Sequence, residues 1–165
     1  MNYLEDAKNG NKFSFEQLIL ENQYAIYKTA RVFFQEESEI NLALERTFFV
    51  AFREIKSCKS ENNFLIWILN QLILTCNALE ESKAKNPKAL PPAEPYTSYE
   101  DYKKNSLVEQ CISKLEIELR LTALLYFYIG IPTHEISKLL RISEHEVHKR
   151  IEKSRTALDN ILFEN

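Results

Sequence analysis

Four of the chain's five prolines, Pro87, Pro91, Pro92 and Pro95, fall inside one short stretch. Proline locks φ and removes a backbone donor, so neither a helix interior nor a central strand can run through such a cluster. The surrounding segment from Ser82 to Asn105, SKAKNPKALPPAEPYTSYEDYKKN, has no apolar period and is expected to form a flexible, solvated linker. It parts an N-terminal unit, residues 1–81, from a C-terminal unit, residues 106–165. The 165 residues contain only two glycines, which argues against a β-rich or loop-rich architecture. With 45% hydrophobic residues the chain can still bury a core in each half. The expected fold is all-α, as two small helical domains.

Helical periodicity supports this division. Ser14 with Gln17 has the spacing of a capping box opening a helix, and the apolar period continues through YAIYKTARVFF, EINLALERTFFVAFREI and NNFLIWILNQLILTCNALEES. Four helices are expected in this half. The run from Phe64 to Cys76 is apolar enough to be read as a strand or a short membrane segment, and its length favours a buried bundle helix. Beyond the linker, SLVEQCISKLEIELRLTALLYFYIG leads to a Gly-Ile-Pro break and two shorter helical segments. Leu115, Leu119 and the apolar residues 121–128 form the expected core beneath them.

Composition excludes several functions. A formal net charge of -3 rules out a generally basic nucleic-acid coat, so any contact with DNA needs a local patch. The N-terminus has early acids and no apolar segment of signal-peptide length, and no stretch reaches the length of a membrane span, so a cytoplasmic protein without membrane insertion is expected. Cys58, Cys76 and Cys111 are few and far apart, which fits reduced thiols better than disulfides or a metal site. No carboxylate pair, Cys-His set or glycine-rich phosphate loop occurs at usable spacing, and Glu135 beside His134 does not make one. Neither an enzyme nor a cofactor is expected.

The candidate site lies near the C-terminus. Thr133 is placed to cap a helix with apolar positions Ile136, Leu139 and Leu140. Arg141 and Ile142 then make a tight turn, and Ser143 caps the next helix with Glu146 completing a capping box. That second helix turns Val147, Ile151 and Leu158 inward and distributes Lys149, Arg150, Lys153 and Arg155 over its outer surface. From Lys138 to Arg155 six basic residues stand against Glu144, Glu146 and Glu152. This is helix-turn-helix spacing with a modest basic patch, where phosphate neutralisation and arginine-guanine pairing need one. Spacing alone leaves a second reading open, in which two amphipathic helices complete a bundle with a solvated charged face.

The run ISKLEIELRLTALLYFYIGIPTHEISKLLRISEHEVHKRIEKSRTALDNIL resembles, nearly end to end, domain four of the extracytoplasmic-function group of sigma-70 family factors. The N-terminal half, through YAIYKTARVFF, ERTFFVAFREI and FLIWIL with Trp67, resembles domain two of the same group. The resemblance implies a dissociable subunit that gives bacterial RNA polymerase core its promoter specificity. Domain four would read the -35 element of promoter DNA through Lys138, Ser143, His145, His148, Lys149, Arg150, Lys153 and Arg155. Domain two would dock on polymerase through Asn41, Glu45, Arg46 and Phe49, and open the -10 element with Trp67, Asn70, Asn77 and Lys83.

The sequence also departs from the family pattern. Leu42, Glu45 and Arg46 stand where Asp, Gln and Glu are typical of the polymerase-contacting helix. Leu74, Ala78 and Glu81 stand near the places of an Asn, an Asp and an Arg in the melting helix. Arg141 replaces the turn glycine, and His145-Glu146 replaces a Gly-Thr opening. These differences motivate an alternative role: a sigma-like regulator acting through a partner, either as half of a two-subunit sigma factor with a co-sigma subunit or as the binder of an anti-sigma protein.

Overall fold

The computed structural model describes residues 2–86 and 106–163. The chain divides into two units, Met1–Ser98 and Tyr99–Asn165. Every regular element among the described residues is helical.

The N-terminal unit contains α1 (Tyr3–Lys8), α2 (Lys12–Phe33), α3 (Glu37–Glu54) and α4 (Phe64–Lys85), with two short 3-10 turns at Ile55–Ser57 and Glu61–Asn63. α2, α3 and α4 pack on one another, and α1 lies against α2. The core is built by Leu18, Ile26 and Tyr27 from α2, Ile40 and Leu44 from α3, and Ile68, Leu69, Leu72 and Leu79 from α4, all fully buried. The apolar run 64–76 is the first part of a 22-residue helix. Its buried residues recur at 64, 68, 72, 76 and 79, the helical period, while Leu74, Asn77 and Ala78 stay exposed. No helix of the described residues is long and apolar enough to cross a membrane.

Among the described residues four α-helices form in this half, but they are not the expected four. α2 runs unbroken from Lys12 to Phe33, joining the segment opened at Ser14 to YAIYKTARVF. Its cap is Asn11, whose Oδ1 accepts from the Ser14 N–H at 3.1 Å. Ser14 is buried two residues inside the helix, so the expected capping box at Ser14 and Gln17 is corrected. The fourth helix is α1, six residues and too short to show a period in sequence. It is held by Asn2, whose side chain accepts from Glu5 N–H, and by Glu61, whose carboxylate accepts from Leu4 N–H at 3.1 Å from 57 positions away. Gly10, at φ 93°, makes the left-handed turn between α1 and α2.

α4 continues through Lys85, so the first four residues of the expected linker are helical. Residues 87–105, which hold the rest of that linker, lie outside the described residues.

The C-terminal unit begins with α5 (Leu107–Ser113) and α6 (Ile117–Ala123), which continues into a π-helical turn at Leu124–Ile129. α7 (Thr133–Leu140) and α8 (Glu144–Phe163) follow. A full capping box opens α5: Glu109 N–H donates to Ser106 Oγ at 3.2 Å, and the Glu109 carboxylate accepts from Ser106 N–H. The same carboxylate accepts from Tyr128 Oη at 2.8 Å, which ties the start of α5 to the π-turn. Ile112, Leu115, Leu119 and Ala123 form a core cluster against which Tyr128, Ala157, Leu158 and Ile161 pack. Of residues 121–128, the expected apolar core, Thr122 to Leu125 are buried and Phe127 is exposed. All three cysteines are free and buried, and burial raises the Cys76 thiol well above its ordinary range.

Two stability changes follow from this geometry. Asn11→Ala removes the cap of α2 and is expected to cost about 1 kcal/mol in thermal or denaturant unfolding. Arg141 holds φ 55° at the end of α7, where a side chain is strained, so Arg141→Gly is expected to stabilise the C-terminal unit by up to about 1 kcal/mol. A loss of stability in Arg141→Gly, measured by the same unfolding, contradicts the strain argument.

Candidate nucleic-acid interface

α7 and α8 form a helix-turn-helix whose angle is set by a short connection. Ile136 and Leu139 bury one side of α7. Arg141 enters the left-handed region at φ 55°, ψ 43°, which ends α7 and reverses the chain. Two bonds lock the turn: Ile142 N–H donates to the Ser137 carbonyl at 3.2 Å, and Ser137 Oγ donates to the Ile142 carbonyl at 2.7 Å. Ser143 Oγ then accepts from Glu146 N–H at 3.0 Å, the expected cap of α8, while the Glu146 carboxylate bonds Arg150 and so does not complete the expected capping box. Thr133 is not the cap of α7. Pro132 occupies that position, and Thr133, the first helical residue, donates its hydroxyl to Glu144 Oε1 at 3.0 Å, linking the starts of the two helices.

α8 buries Val147 and Ile151 as expected, with Leu158 half-buried, and adds Ser154 to the same stripe. Opposite the stripe, at 100° per residue, lie His145, Lys149 and Lys153, all exposed. No ion pair among the described residues involves these three. Four of the other expected DNA-contacting residues are engaged. Lys138 is 3.7 Å from Glu135, and His148 is 3.9 Å from Glu144. Arg155 pairs with Glu152 and lies 5.7 Å from the centre of the Phe127 ring. Arg150 has only 22% of its side chain exposed, donating from Nε to Glu146 Oε1 at 3.1 Å and from Nη1 to the Glu118 carbonyl of α6 at 3.4 Å. The eight expected DNA-contacting residues thus share one motif, but of these eight only His145, Lys149 and Lys153 stand toward the outermost line of α8.

In the N-terminal unit, Glu45, Arg46 and Phe49 share the exposed side of α3, and Phe49 is 65% exposed. Asn41 is buried on the same helix and is not brought to the surface with them. Leu42 is also buried, which accounts for an apolar residue at that position. Arg53 was not anticipated; it stands one turn beyond Phe49 with its guanidinium 5.6 Å from the ring centre, an i,i+4 relation visible in sequence.

On α4, Trp67, Asn70, Leu74 and Asn77 follow the three-four spacing of a single face. Trp67 is half-buried: its ring lies 5.7 Å from Phe64, and its indole N–H donates to Ser57 Oγ at 3.0 Å. Lys83 does not join this face. It lies roughly 160° around the helix from Trp67 and pairs with Glu39 of α3, beside an open hollow lined by Phe33, Phe34, Glu80 and Ala84.

No family model matches the chain, and no curated protein matches it. Solved structures do. CnrH, in complex with the cytosolic domain of CnrY, is 19% identical over 97% of this chain and 94% of that one, with a TM-score of 0.66. The sigma factor RpoE from Bartonella quintana, in a co-crystal with the anti-sigma factor NepR, is 14% identical over 90% of this chain and 96% of that one, with a TM-score of 0.68. At such identities the fold is what is shared. The chain has the all-α fold of the extracytoplasmic-function sigma factors, over nearly its whole length.

Glu146 supplies a titration test of the site. Its hydrogen bond with Arg150 holds the carboxyl below the usual glutamate range. A depressed folded value means the pair contributes fully above the unfolded pKa of about 4.3 and is lost as pH falls through the lower folded value. Carbon-detected NMR titration is expected to show Glu146 titrating lower than an ordinary glutamate, and Arg150→Gln is expected to return it to the ordinary range.

Proposed function

We propose that the chain is a sigma factor of the extracytoplasmic-function type, acting in the cytoplasm to direct RNA polymerase core to specific promoters. The observation that carries this reading is the helix-turn-helix with outward Lys149 and Lys153 at one end of a chain whose fold matches sigma factors throughout. α8 enters the major groove of the -35 element, with α7 bracing it across the backbone. The exposed face of α3, with Phe49 flanked by Arg46 and Arg53, docks on polymerase; an exposed aromatic beside arginines is the composition of an interface hot spot. Trp67, Asn70 and Asn77 meet the -10 element, where an aromatic ring and amide groups can stack on and hold unpaired bases. The chain supplies no covalent chemistry.

The second reading is a regulator that works through an anti-sigma protein or a co-sigma subunit. One observation favours it: Lys83 is paired with Glu39 and turned away from Trp67, so beside Trp67, Asn70 and Asn77 the α4 face presents amides and apolar groups, and Lys85, the cation on the same azimuth, stands about five turns beyond Trp67. The partners of RpoE and CnrH in their solved complexes suggest the class of protein such a regulator would meet.

Transcription in vitro from fragmented genomic DNA, with the purified chain and sigma-free core polymerase, separates the two. Discrete starts sharing two upstream elements are expected from the first reading; silence beside an active reference sigma factor supports the second. Charge reversal of both Lys149 and Lys153 is expected to abolish promoter use while leaving core binding intact. Phe49→Asp is expected to weaken core binding by at least about tenfold, measured by fluorescence anisotropy of the labelled chain.

A further inference from the structure

The basic residues of α8 divide by side-chain type. Lys149 and Lys153 stand opposite the buried stripe of Val147, Ile151, Ser154 and Leu158, while the two arginines lie on opposite flanks of the helix. Each arginine turns back to the element that α8 packs on: Arg150 to the Glu118 carbonyl in the first turn of α6, and Arg155 to the Phe127 ring in the π-turn that continues α6. Arg150 is the more enclosed of the two. Its guanidinium bridges Glu146, one turn back along α8, and the backbone of α6, using two nitrogens in two directions. A guanidinium can make that bridge because its donors form a rigid planar fork; a lysine ammonium is a single point charge on a flexible stem.

We infer that Arg150 is a positioning residue, holding α8 at a fixed angle to α6 through Glu146 and the Glu118 carbonyl, and that Lys149 and Lys153 with His145 form the edge presented to DNA. The tether is intramolecular and stands on geometry alone; the second half rests on the DNA-reading function proposed above. In this arrangement Glu146 is required for alignment, since its carboxylate fixes one end of the bridge while the Glu118 carbonyl fixes the other. The acid that replaces the family's small residue at that place is then a part of the tether rather than a source of repulsion at the groove.

The tether and the DNA edge are tested separately on the full chain. In the first arm, NMR measures exchange of the Arg150 Nε–H with water against that of Arg141, which is exposed in the turn. At least tenfold slower exchange at Arg150, lost in Glu146→Gln, is expected; exchange as fast as at Arg141 overturns the tether whether or not the chain binds DNA. In the second arm, binding to a 30-base-pair duplex carrying a mapped upstream element, or to a random-sequence duplex if no start is found, is followed across salt concentrations. Loss of a cation that contacts phosphate lowers the slope of log K against log salt by about 0.9. Lys149→Gln and Lys153→Gln are each expected to do so. Arg150→Gln and Arg150→Lys are both expected to weaken binding with the slope unchanged, because neither can make the bridge. A reduced slope in Arg150→Gln that Arg150→Lys restores overturns the positioning role and makes Arg150 a phosphate contact. Absence of DNA binding by the unaltered chain overturns the DNA edge and leaves the tether to be decided by the first arm.

Discussion

The C-terminal unit depends on the burial of one stripe of α8. Val147 and Ile151 are almost completely enclosed, each adding about 1.5–3 kcal/mol of apolar burial, and Leu158 and Ile161 extend the stripe onto the Ile112, Leu115, Leu119 and Ala123 cluster. Once that stripe is buried, the azimuth of every other side chain on α8 follows from the helical period. Lys149 and Lys153 are exposed because the inward positions are taken. Arg150 falls on a flank where Glu118 is within reach, and Arg155 on the other flank beside Phe127. The proposed DNA face is thus a consequence of how the core is filled.

Electrostatics then refines that face. Three acids on α8 and one on α7 pair with neighbouring basic groups: Glu144 with His148, Glu146 with Arg150, Glu152 with Arg155 and Glu135 with Lys138. Exposed pairs of this kind contribute little stability, because solvent and salt screen them. Their larger effect is on availability: a paired cation has less to offer a phosphate. A short charge-rich helix in an acidic protein can in this way present two lysines while keeping its non-specific attraction to nucleic acid low.

The N-terminal unit uses the same device of one filled side and one open side. α3 buries Ile40, Leu44, Thr47 and Phe48 and leaves Phe49 and Val50 exposed; α4 buries Phe64, Ile68, Leu72 and Cys76 and leaves Leu74 and Asn77 exposed. An exposed aromatic ring carries an unfavourable hydration term that burial in a complex removes, so Phe49 supports the proposed contact on α3 more strongly than the charges beside it do. The buried phenol of Tyr27 shows the opposite case. Burial, and then its 2.7 Å hydrogen bond to Glu37, pushes it up to about 12, which keeps it a neutral structural donor between α2 and α3.

The sequence by itself determined that the protein is helical, and that a turn at Arg141 and Ile142 joins two amphipathic helices with Ser143 as a cap. These are local properties, decided by φ restriction, helical period and side chains within three or four residues of one another. It also supplied the basic residue types on which the proposed DNA face rests. It missed α1, because six residues carry no period, and placed the start of α2 at Ser14, because Asn11 and Ser14 have equally good capping chemistry and only burial of Ser14 distinguishes them. The tertiary structure alone decided that Asn41 is inside, that Lys83 pairs with Glu39 from 44 positions away, and that Arg150 reaches the carbonyl of Glu118 from 32 positions away. Contacts at such separations depend on which helices pack together, and no spacing along the chain encodes that.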